Sequence, residues 1–206
     1  MEVAGSFQPL SQFQAVPIML ASGSPRRQQL FRELGLNFQV FVKPNIDESF
    51  PSQLKGAEIP RYLAAEKAQH YTDEILQGNF LITADTIVWH QGSVVEKPAN
   101  REEAIAMLSR LSGTVHEVFT GVCCRYGQQT KSFESQTEVS FKVLSINEIV
   151  YYVDRYQPFD KAGGYGIQEW IGYVAVEWIK GSYFNVMGLP IHALYELMSN
   201  WDFSNS

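Results

Sequence analysis

The chain has 206 residues, of which 45% are hydrophobic and 18% charged, so one domain or two closely packed lobes are expected and global disorder is excluded. The net charge of −6, without any extended run of lysines or arginines, argues against nucleic acid as a partner but leaves a small polyanion open. Since no apolar run reaches 18 residues, we expect neither a transmembrane span nor a membrane partner.

The N-terminal segment and the cysteines indicate the compartment. Residues 1–17 lack the basic and apolar regions of a secretory signal, and we interpret them as a flexible extension before one domain over residues 18–200. Cys123 and Cys124 are adjacent, and neighbouring cysteines rarely bridge each other. Buried free thiols in a reducing compartment are therefore predicted, and no Cys or His set has zinc-ligand spacing. A cytoplasmic protein is expected.

The first element is a short apolar strand over residues 18–21, which ends at a polar turn. Ser24 suits the N-cap of a following helix, and Pro25 suits its first position, where a missing N–H costs nothing. The helix is expected to end at Gly35. A strand, a tight polar turn and a helix together present free backbone N–H groups to an anion.

The remaining pattern mixes helices with strands. It predicts, in order, a strand at 38–42, a polar segment at 44–49, a helix at 60–71, a strand at 80–89 interrupted at 83–86, and a turn at 91–92 before a short strand at 94–95. There follow a capped helix from Asn100 to near Gly113, a hairpin of 115–126 and 131–143, a capped helix from Ser145 to before Pro158, a Gly-rich segment, a strand at 173–179 and a helix at 190–198. This order predicts an α/β fold with a mixed sheet.

Two arginines, Arg26 and Arg27, stand in the first turn of the first predicted helix. Cations there oppose the helix macrodipole and cost roughly a few tenths of a kcal/mol each. An anion at this N-terminus reverses the sign, because the N–H groups, two serine hydroxyls and both guanidiniums would face it. So short a stretch leaves two interpretations open, an anion site or exposed arginines tolerated at a helix start.

Three further segments carry polar residues in unusual places. Asp85 lies in an otherwise apolar strand, where a carboxylate needs partners or a function; the alternative is a hydrogen-bonded structural Asp at a bulge. Lys97 follows the next strand, where a solvated turn is the ordinary explanation. The segment 160–168 has three glycines, which allow a backbone to approach a ligand closely, although most such loops are turns.

Eight segments, in order from about residue 18 to residue 198, together resemble the Maf family of nucleotide pyrophosphatases. They are LASGSPRR, DES, EKA, ITADTIV, EKP, LSGTVHEVFTGV, DKAGGYGIQ and GSYFNVMGLP. Each motif is weak alone, whereas eight in the same order are highly specific. The resemblance implies a mixed, highly curved sheet flanked by helices, with a substrate cleft between two lobes, as in inosine triphosphatase-like proteins.

The resemblance also implies a role for each matching residue. Phosphate contacts are implied for Ser22, Ser24, Arg26, Arg27, Lys67 and Lys97, metal binding for Glu48 and Asp85, proton acceptance for Asp85, and base selection for Arg26, Thr86 and Gln168. The implied cofactor is Mg²⁺ or Mn²⁺, because a hard ion suits carboxylate and phosphate oxygens. Positioning and charge stabilisation carry most of the rate enhancement in such reactions.

The Gly-rich segment is similar to that of the dTTP/UTP group of the family. The group that prefers 7-methyl-GTP usually lacks the Tyr-Gly-Ile-Gln run of residues 165–168. The Gln168 amide both donates and accepts, which suits the O4 and N3–H edge of thymine or uracil. The implied reaction is cleavage of dTTP or UTP at the α–β bond to the monophosphate and pyrophosphate.

Two other functions stay open at the level of sequence. One is a nucleotide-binding regulator of cell division or septum formation with little catalysis, although a pure binder does not need a base such as Asp85. The other is a pyrophosphatase of the same type with a different base preference, for example for modified nucleotides. The expected partner is a small-molecule nucleotide, and because dimers are usual in the family, a homodimer is compatible with the resemblance.

Overall fold

The computed structural model describes residues 10–71 and 78–204, and one mixed sheet runs through them. Its seven strands are β1 (Ile18–Leu20), β2 (Phe38–Val40), β3 (Phe80–His90), β4 (Ser93–Val95), β5 (Val115–Tyr126), β6 (Gln129–Phe141) and β7 (Val176–Lys180). The order is β2-β1-β3-β5-β6-β7, with β4 added to β3. β1 lies parallel to β2 and β3, and the other pairs are antiparallel. The predicted mixed α/β class is confirmed.

Helices surround this sheet. They are α1 (Pro25–Arg32), α2 (Glu58–Gln69), α3 (Arg101–Leu111), α4 (Ile146–Tyr156), α5 (Trp170–Ala175), α6 (Tyr183–Met187) and α7 (Ile191–Ser199), with 3₁₀ turns at Ser11–Phe13 and Ala162–Gly164. Across the described ranges, no helix is long and apolar enough to cross a membrane.

Three predicted N-caps are confirmed, at Ser24, Asn100 and Ser145, whereas the helix predicted from residue 60 begins at Glu58 without a side-chain cap. Ser24 precedes α1, and its side chain accepts a hydrogen bond from the Arg27 backbone N–H at 3.5 Å. Ser145 and Glu148 form both halves of a capping box at α4. At α3 only one of the two hydrogen bonds of the predicted capping box is present. The Asn100 side chain accepts from the Glu103 N–H, but the Glu103 carboxylate accepts from the Ala99 N–H instead of the N-cap N–H.

The predicted interruption of β3 is wrong. From Leu81 to Trp89, each residue of β3 pairs with β5, and Asp85 lies opposite Gly121 without a shift in register. The ladder of hydrogen bonds continues because the backbone of a strand pairs independently of a polar side chain, provided that the side chain finds partners. Asp85 is therefore not at a bulge.

The predicted strand over residues 173–179 begins too early. Its first part belongs to α5, and β7 starts only at Val176. Gly172 explains the helical turn, since its N–H donates to the Glu169 carbonyl and a Cβ there would lie 1.7 Å from the Ile167 oxygen. Periodicity cannot reveal such a close contact between backbones.

Part of the predicted flexible extension packs on the domain. Leu10 and Phe13 are buried, and the Phe13 ring packs edge-on against Phe80. The Gln12 amide donates to the Met198 carbonyl at 3.1 Å. The prediction of a flexible extension is therefore wrong from Leu10 onward, where the chain packs on the domain. Residues 1–9, the rest of that predicted extension, lie outside the described residues.

The prediction that both cysteines are buried and unbridged is confirmed. Cys123 and Cys124 are free thiols, both fully buried in β5. Neighbouring strand residues point to opposite faces, so Cys123 packs beneath α2 while Cys124 belongs to the main core on the other side. Burial raises the pKa of the Cys124 thiol well above its usual value, which keeps the thiol protonated.

Candidate active site

One cleft collects most of the predicted site residues. Its walls come from the start of α1, the loop before α2, the middle of β3, the Gly-rich segment and the end of α6. Nine of the ten predicted residues line it, namely Ser24, Arg26, Arg27, Glu48, Lys67, Asp85, Thr86, Lys97 and Gln168. The tenth, Ser22, lines an adjoining cavity that shares Ser24, Arg26 and Lys67 with this cleft. Residues far apart in sequence are therefore brought together as the resemblance implies.

Four side chains form what we call the carboxylate cluster, defined as Glu48, Lys67, Asp85 and Lys97. The Lys67 ammonium lies 2.6 Å from Asp85 Oδ1 and 2.8 Å from Glu48 Oε1. The other oxygen of Glu48 lies 3.5 Å from the Lys97 ammonium. Two carboxylates thus converge on one cation in the cleft.

Gly121 makes this convergence sterically feasible, and sequence reasoning missed it. A Cβ at Gly121 would lie 2.2 Å from the Pro60 carbonyl oxygen, so only glycine lets α2 pack this closely on β5. Asp85 is directly opposite Gly121, and α2 carries Lys67 over it. A glycine within an otherwise regular strand was the available signal.

Exposure differs within the cluster. Asp85 is 8% exposed, whereas Glu48 and Lys97 face solvent. Partial burial opposes ionisation of Glu48, but the hydrogen bond and charge of Lys67, together with Lys97, outweigh it and lower the pKa of that carboxyl. Glu48 is therefore ionised at neutral pH and can attract a cation.

Arg27 is the centre of a second group, which we call the Arg27 hub, formed with Ser22, Ala84, Thr86 and Gly188. Its Nε donates to the Gly188 carbonyl at 2.7 Å, and its Nη1 donates to the Ala84 carbonyl at 2.9 Å and to Ser22 Oγ at 3.4 Å. Its Nη2 donates to Thr86 Oγ1 at 2.9 Å. Four of the five guanidinium hydrogens therefore bind protein groups that the structure describes.

The hub joins α1, β3 and the turn after α6. Thr86 Oγ1 also lies 2.9 Å from Thr120 Oγ1, which in turn donates to the Asn185 carbonyl. Burial lowers the pKa of the Arg27 guanidinium, partly offset by the charge of Asp85, although an arginine stays protonated at neutral pH in any case. The positive charge is thus held beside Asp85 by neutral acceptors.

Arg26, the other arginine of the pair, points elsewhere. Its Nη1 lies 3.1 Å from Asp160 Oδ2, and the Asp160 side chain is 59% exposed. Burial opposes ionisation of Asp160, but Lys161 and then Arg26 outweigh it and lower the pKa of the carboxyl. Asp160 and Lys161 both line the cleft, and sequence reasoning assigned no role to either.

The Gly-rich segment forms the opposite wall. Gly163 has a φ of +70°, and a Cβ there would lie 2.9 Å from Val88 of β3, so glycine is required for this approach. The hydroxyl of Tyr165 lies 2.7 Å from His116 Nε2, which anchors the segment on β5. Burial, with a smaller contribution from His90, lowers the pKa of His116 to about 3, so its imidazole is neutral.

Gln168 lines the cleft and carries an acceptor that has no partner in the described residues. Its Oε1 atom is buried and has no hydrogen-bond partner among the described residues. A buried amide oxygen without a partner is unfavourable by about 1–3 kcal/mol, which a bound ligand with a donor would relieve. This is the behaviour expected of a group that reads the edge of a base.

The residues present fit a divalent cation. In the described part of the chain no cluster of three or more metal-ligating side chains occurs. Magnesium, however, is commonly held by one or two carboxylates together with substrate phosphates. Asp85 and Glu48 both lie within 3 Å of a single cationic atom, Lys67 Nζ, so their oxygens already converge on positive charge.

Comparisons with known proteins identify relatives of this chain. A family model described as Maf-like protein matches residues 17–201. A dTTP/UTP pyrophosphatase of Bacteroides thetaiotaomicron is 55% identical over 86% of this chain and 92% of its own length. One of Parabacteroides distasonis is 51% identical over 89% of this chain and 95% of its own. The solved structure of a HAM1 protein from Coxiella burnetii aligns with 90% of this chain and 100% of that chain, at 12% identity and a TM-score of 0.46.

Proposed function

The chain belongs to the Maf family, and on that premise we propose that it is a hydrolase that cleaves dTTP and UTP between the α- and β-phosphates. The supporting observation is a buried carboxylate, Asp85, within 2.6 Å of a lysine in a cleft lined by further cations. Relatives at 51–55% identity that carry this activity in their names support the same reaction.

Asp85 is the proposed proton acceptor. In the reaction a water oxygen bonds to the α-phosphorus, the bond to the bridging oxygen of pyrophosphate breaks, and the proton of the water passes to a base. Oδ1 of Asp85 is bonded to Lys67, which leaves Oδ2 to accept the proton. Low exposure of Asp85 restricts bulk water near the reacting phosphorus.

The cations of the cleft are proposed to bind the triphosphate in different ways. Lys67, Lys97 and Arg26 each hold a carboxylate partner and can turn to phosphate oxygens when a triphosphate enters. The hydroxyls of Ser22 and Ser24 and the start of α1 supply neutral donors. Arg27 contributes mainly through its fixed position, since one guanidinium hydrogen is left for a ligand.

The proposed cofactor is Mg²⁺ or Mn²⁺, held by Asp85 and Glu48. When bound, such an ion supplies neutralisation of phosphate charge and polarisation of the reacting group. Arg26, Thr86 and Gln168 are the proposed base-selecting residues, and the free Oε1 of Gln168 supports this for the last of them.

We further propose that residues 18–200 act as one pyrophosphatase domain in the cytoplasm. The family match over residues 17–201 and the single sheet support one domain. Two free buried thiols suit a reducing compartment, where nucleoside triphosphates are also available.

The test is a nucleotide panel with Mg²⁺ or Mn²⁺, in which pyrophosphate and orthophosphate are measured separately. dTTP and UTP are expected to release pyrophosphate in equal amount to the monophosphate. Release of orthophosphate would instead indicate cleavage at the β–γ bond. Preference for a purine or a modified nucleotide would indicate a different base specificity, and binding without any release would favour a regulator.

A further inference from the structure

A line of polar groups beside the cleft connects Arg26 with the backbone next to Gln168. Arg26 Nη1 lies 3.1 Å from Asp160 Oδ2, and the other oxygen of Asp160 lies 2.7 Å from the Lys161 ammonium. Lys161 Nζ lies 3.3 Å from Glu169 Oε1. Both carboxylates therefore share one lysine, which is 8% exposed and placed between them.

The line continues through Tyr152 of α4. Its hydroxyl donates to the remaining oxygen of Glu169 and accepts the Gly166 N–H at 3.0 Å. Tyr152 is fully buried. Burial, and then the hydrogen bond to Glu169, raise the pKa of the phenol far above its usual value, so the hydroxyl keeps the proton that it donates.

Gly166 is the point where this line touches the proposed base reader. A Cβ at Gly166 would lie 2.8 Å from Gln168 Nε2 and 2.9 Å from Glu169 Cδ, so both side chains pack directly on its backbone. A shift of Gly166 would move the Gln168 amide, and a change of that kind by about 1 Å is enough to weaken recognition or catalysis considerably.

We propose that Lys161 is a positioning residue which, through Glu169 and Tyr152 on one side and Asp160 on the other, aligns Gln168 and Arg26 for reading the base. The buried Lys161 holds Glu169, whose side chain is 18% exposed, at a fixed distance, because separating the two would leave charges unpaired in a partly buried place. On its other side Lys161 pairs with the more exposed Asp160, which contacts Arg26. The proposal rests on the proposed function and extends it to residues that do not themselves read the nucleotide.

The principal variant is Tyr152→Phe, which removes one oxygen and leaves the ring in place. It deprives the Gly166 N–H of its acceptor and Glu169 of a donor. We expect kcat/KM for dTTP to fall about tenfold. The dTTP-to-CTP ratio, by which we mean kcat/KM for dTTP divided by kcat/KM for CTP, should fall by a similar factor. The matched control is Tyr156→Phe on the same helix, since the Tyr156 ring stacks on Tyr152 at 5.1 Å and lies outside the line.

Two further variants separate positioning from a general structural role. Lys161→Met should lower the dTTP-to-CTP ratio at least as much as Tyr152→Phe, and Lys161→Arg should restore part of it by keeping the charge. The inhibition constant for pyrophosphate should change less than the ratio of kcat/KM for dTTP to that for CTP, because Arg26 is the one proposed phosphate contact that belongs to the line. Equal losses for both nucleotides and for pyrophosphate would show general loosening and overturn the proposal.

Binding measurements keep this test separate from that of the proposed function. Affinities for dTTP and CTP are measured by calorimetry for the wild type and each variant. A wild type that binds dTTP better than CTP without releasing pyrophosphate refutes the reaction while still testing the alignment. The proposal is overturned if both Tyr152→Phe and Lys161→Met leave the preference for dTTP over CTP unchanged within twofold, in affinity and in kcat/KM. It is also overturned if the wild type prefers dTTP over CTP neither in affinity nor in kcat/KM.

Discussion

The carboxylate cluster and the Arg27 hub border the same cleft, yet their cations are satisfied in different ways. In the cluster, Lys67 and Lys97 are paired with carboxylates, one of which, Glu48, faces solvent. In the hub, Arg27 donates to two backbone carbonyls and two hydroxyls. A phosphate can replace an exposed carboxylate at little cost, because water then solvates the released group.

The hub has no such freedom. If Arg27 turned toward a ligand, the carbonyls of Ala84 and Gly188 would lose their donor, and partly buried carbonyls without donors are unfavourable. The difference supports our proposal that the lysines of the cluster meet the phosphates, whereas Arg27 mainly maintains the shape of the cleft. Neighbouring arginines in the sequence can therefore have different tasks.

The largest expected effect is that of Asp85→Asn in the cluster. Asparagine keeps the shape but cannot accept a proton, so kcat should fall about 10²- to 10⁴-fold while nucleotide affinity changes only a few-fold. Steady-state kinetics and calorimetry measure the two quantities. Asp154→Asn, at an exposed ion pair with Arg101, is the control, and near wild-type kcat for Asp85→Asn would remove it from the role of base.

Arg27→Ala tests the hub. We expect a loss of about 2–4 kcal/mol in the free energy of unfolding, because several acceptors lose their donor at once. Urea denaturation measures it, and Arg26→Ala should cost less than about 1 kcal/mol, as for a partly exposed ion pair. If Arg27→Ala instead keeps its stability and loses only triphosphate affinity, Arg27 belongs functionally with the cluster.

Gln168→Ala examines the opposite wall. The buried Oε1 without a partner should bind a donor on thymine or uracil, so its loss should lower kcat/KM for dTTP and UTP roughly ten- to a hundredfold. Competition between dTTP and CTP measures the discrimination directly. An unchanged ratio would mean that other groups read the base and that Gln168, like Arg27, mainly maintains the shape of the cleft.

We expect low pH to reduce the stability of the fold through His116, which anchors the Gly-rich segment at Tyr165. The pKa of His116 is about 3 in the fold, below the ordinary value near 6.5, so between these values the unfolded chain binds a proton that the folded chain does not. Stability should therefore fall as the pH decreases from 6.5 to 5, with a contribution from this group that approaches about 1.4 kcal/mol per pH unit at the lower end. Urea titrations should show a smaller slope for His116→Gln, whereas His192→Gln at an exposed site should keep it.

The smallest effect is expected for Lys97→Ala. Lys97 is half exposed, so the KM for dTTP should rise about fivefold at low salt, which corresponds to about 1 kcal/mol. The effect should shrink in high salt because exposed charges are screened. Lys180→Ala removes another exposed lysine paired with a glutamate, and it should leave the KM unchanged at any salt concentration.

The sequence by itself determined the local elements and the set of chemical groups. The Ser24-Pro25 start of α1, the capping box of α4 and the hairpin of β5 and β6 follow from residues that are neighbours along the chain. The motifs also named nine of the residues that line the cleft. Such signals are readable because caps, turns and alternation depend on contacts within a few positions.

Only the tertiary structure decided which of these groups hold each other. The unbroken β3, the late start of β7 at Val176, and the packing of Leu10 and Phe13 were not readable from local sequence patterns. Arg27 and Gly188 are 161 positions apart, and Lys67 reaches Asp85 only because Gly121 lets α2 lie against the sheet. Partners of this kind are selected by packing, so whether a cation is held in place or free to meet a phosphate is not readable from its motif.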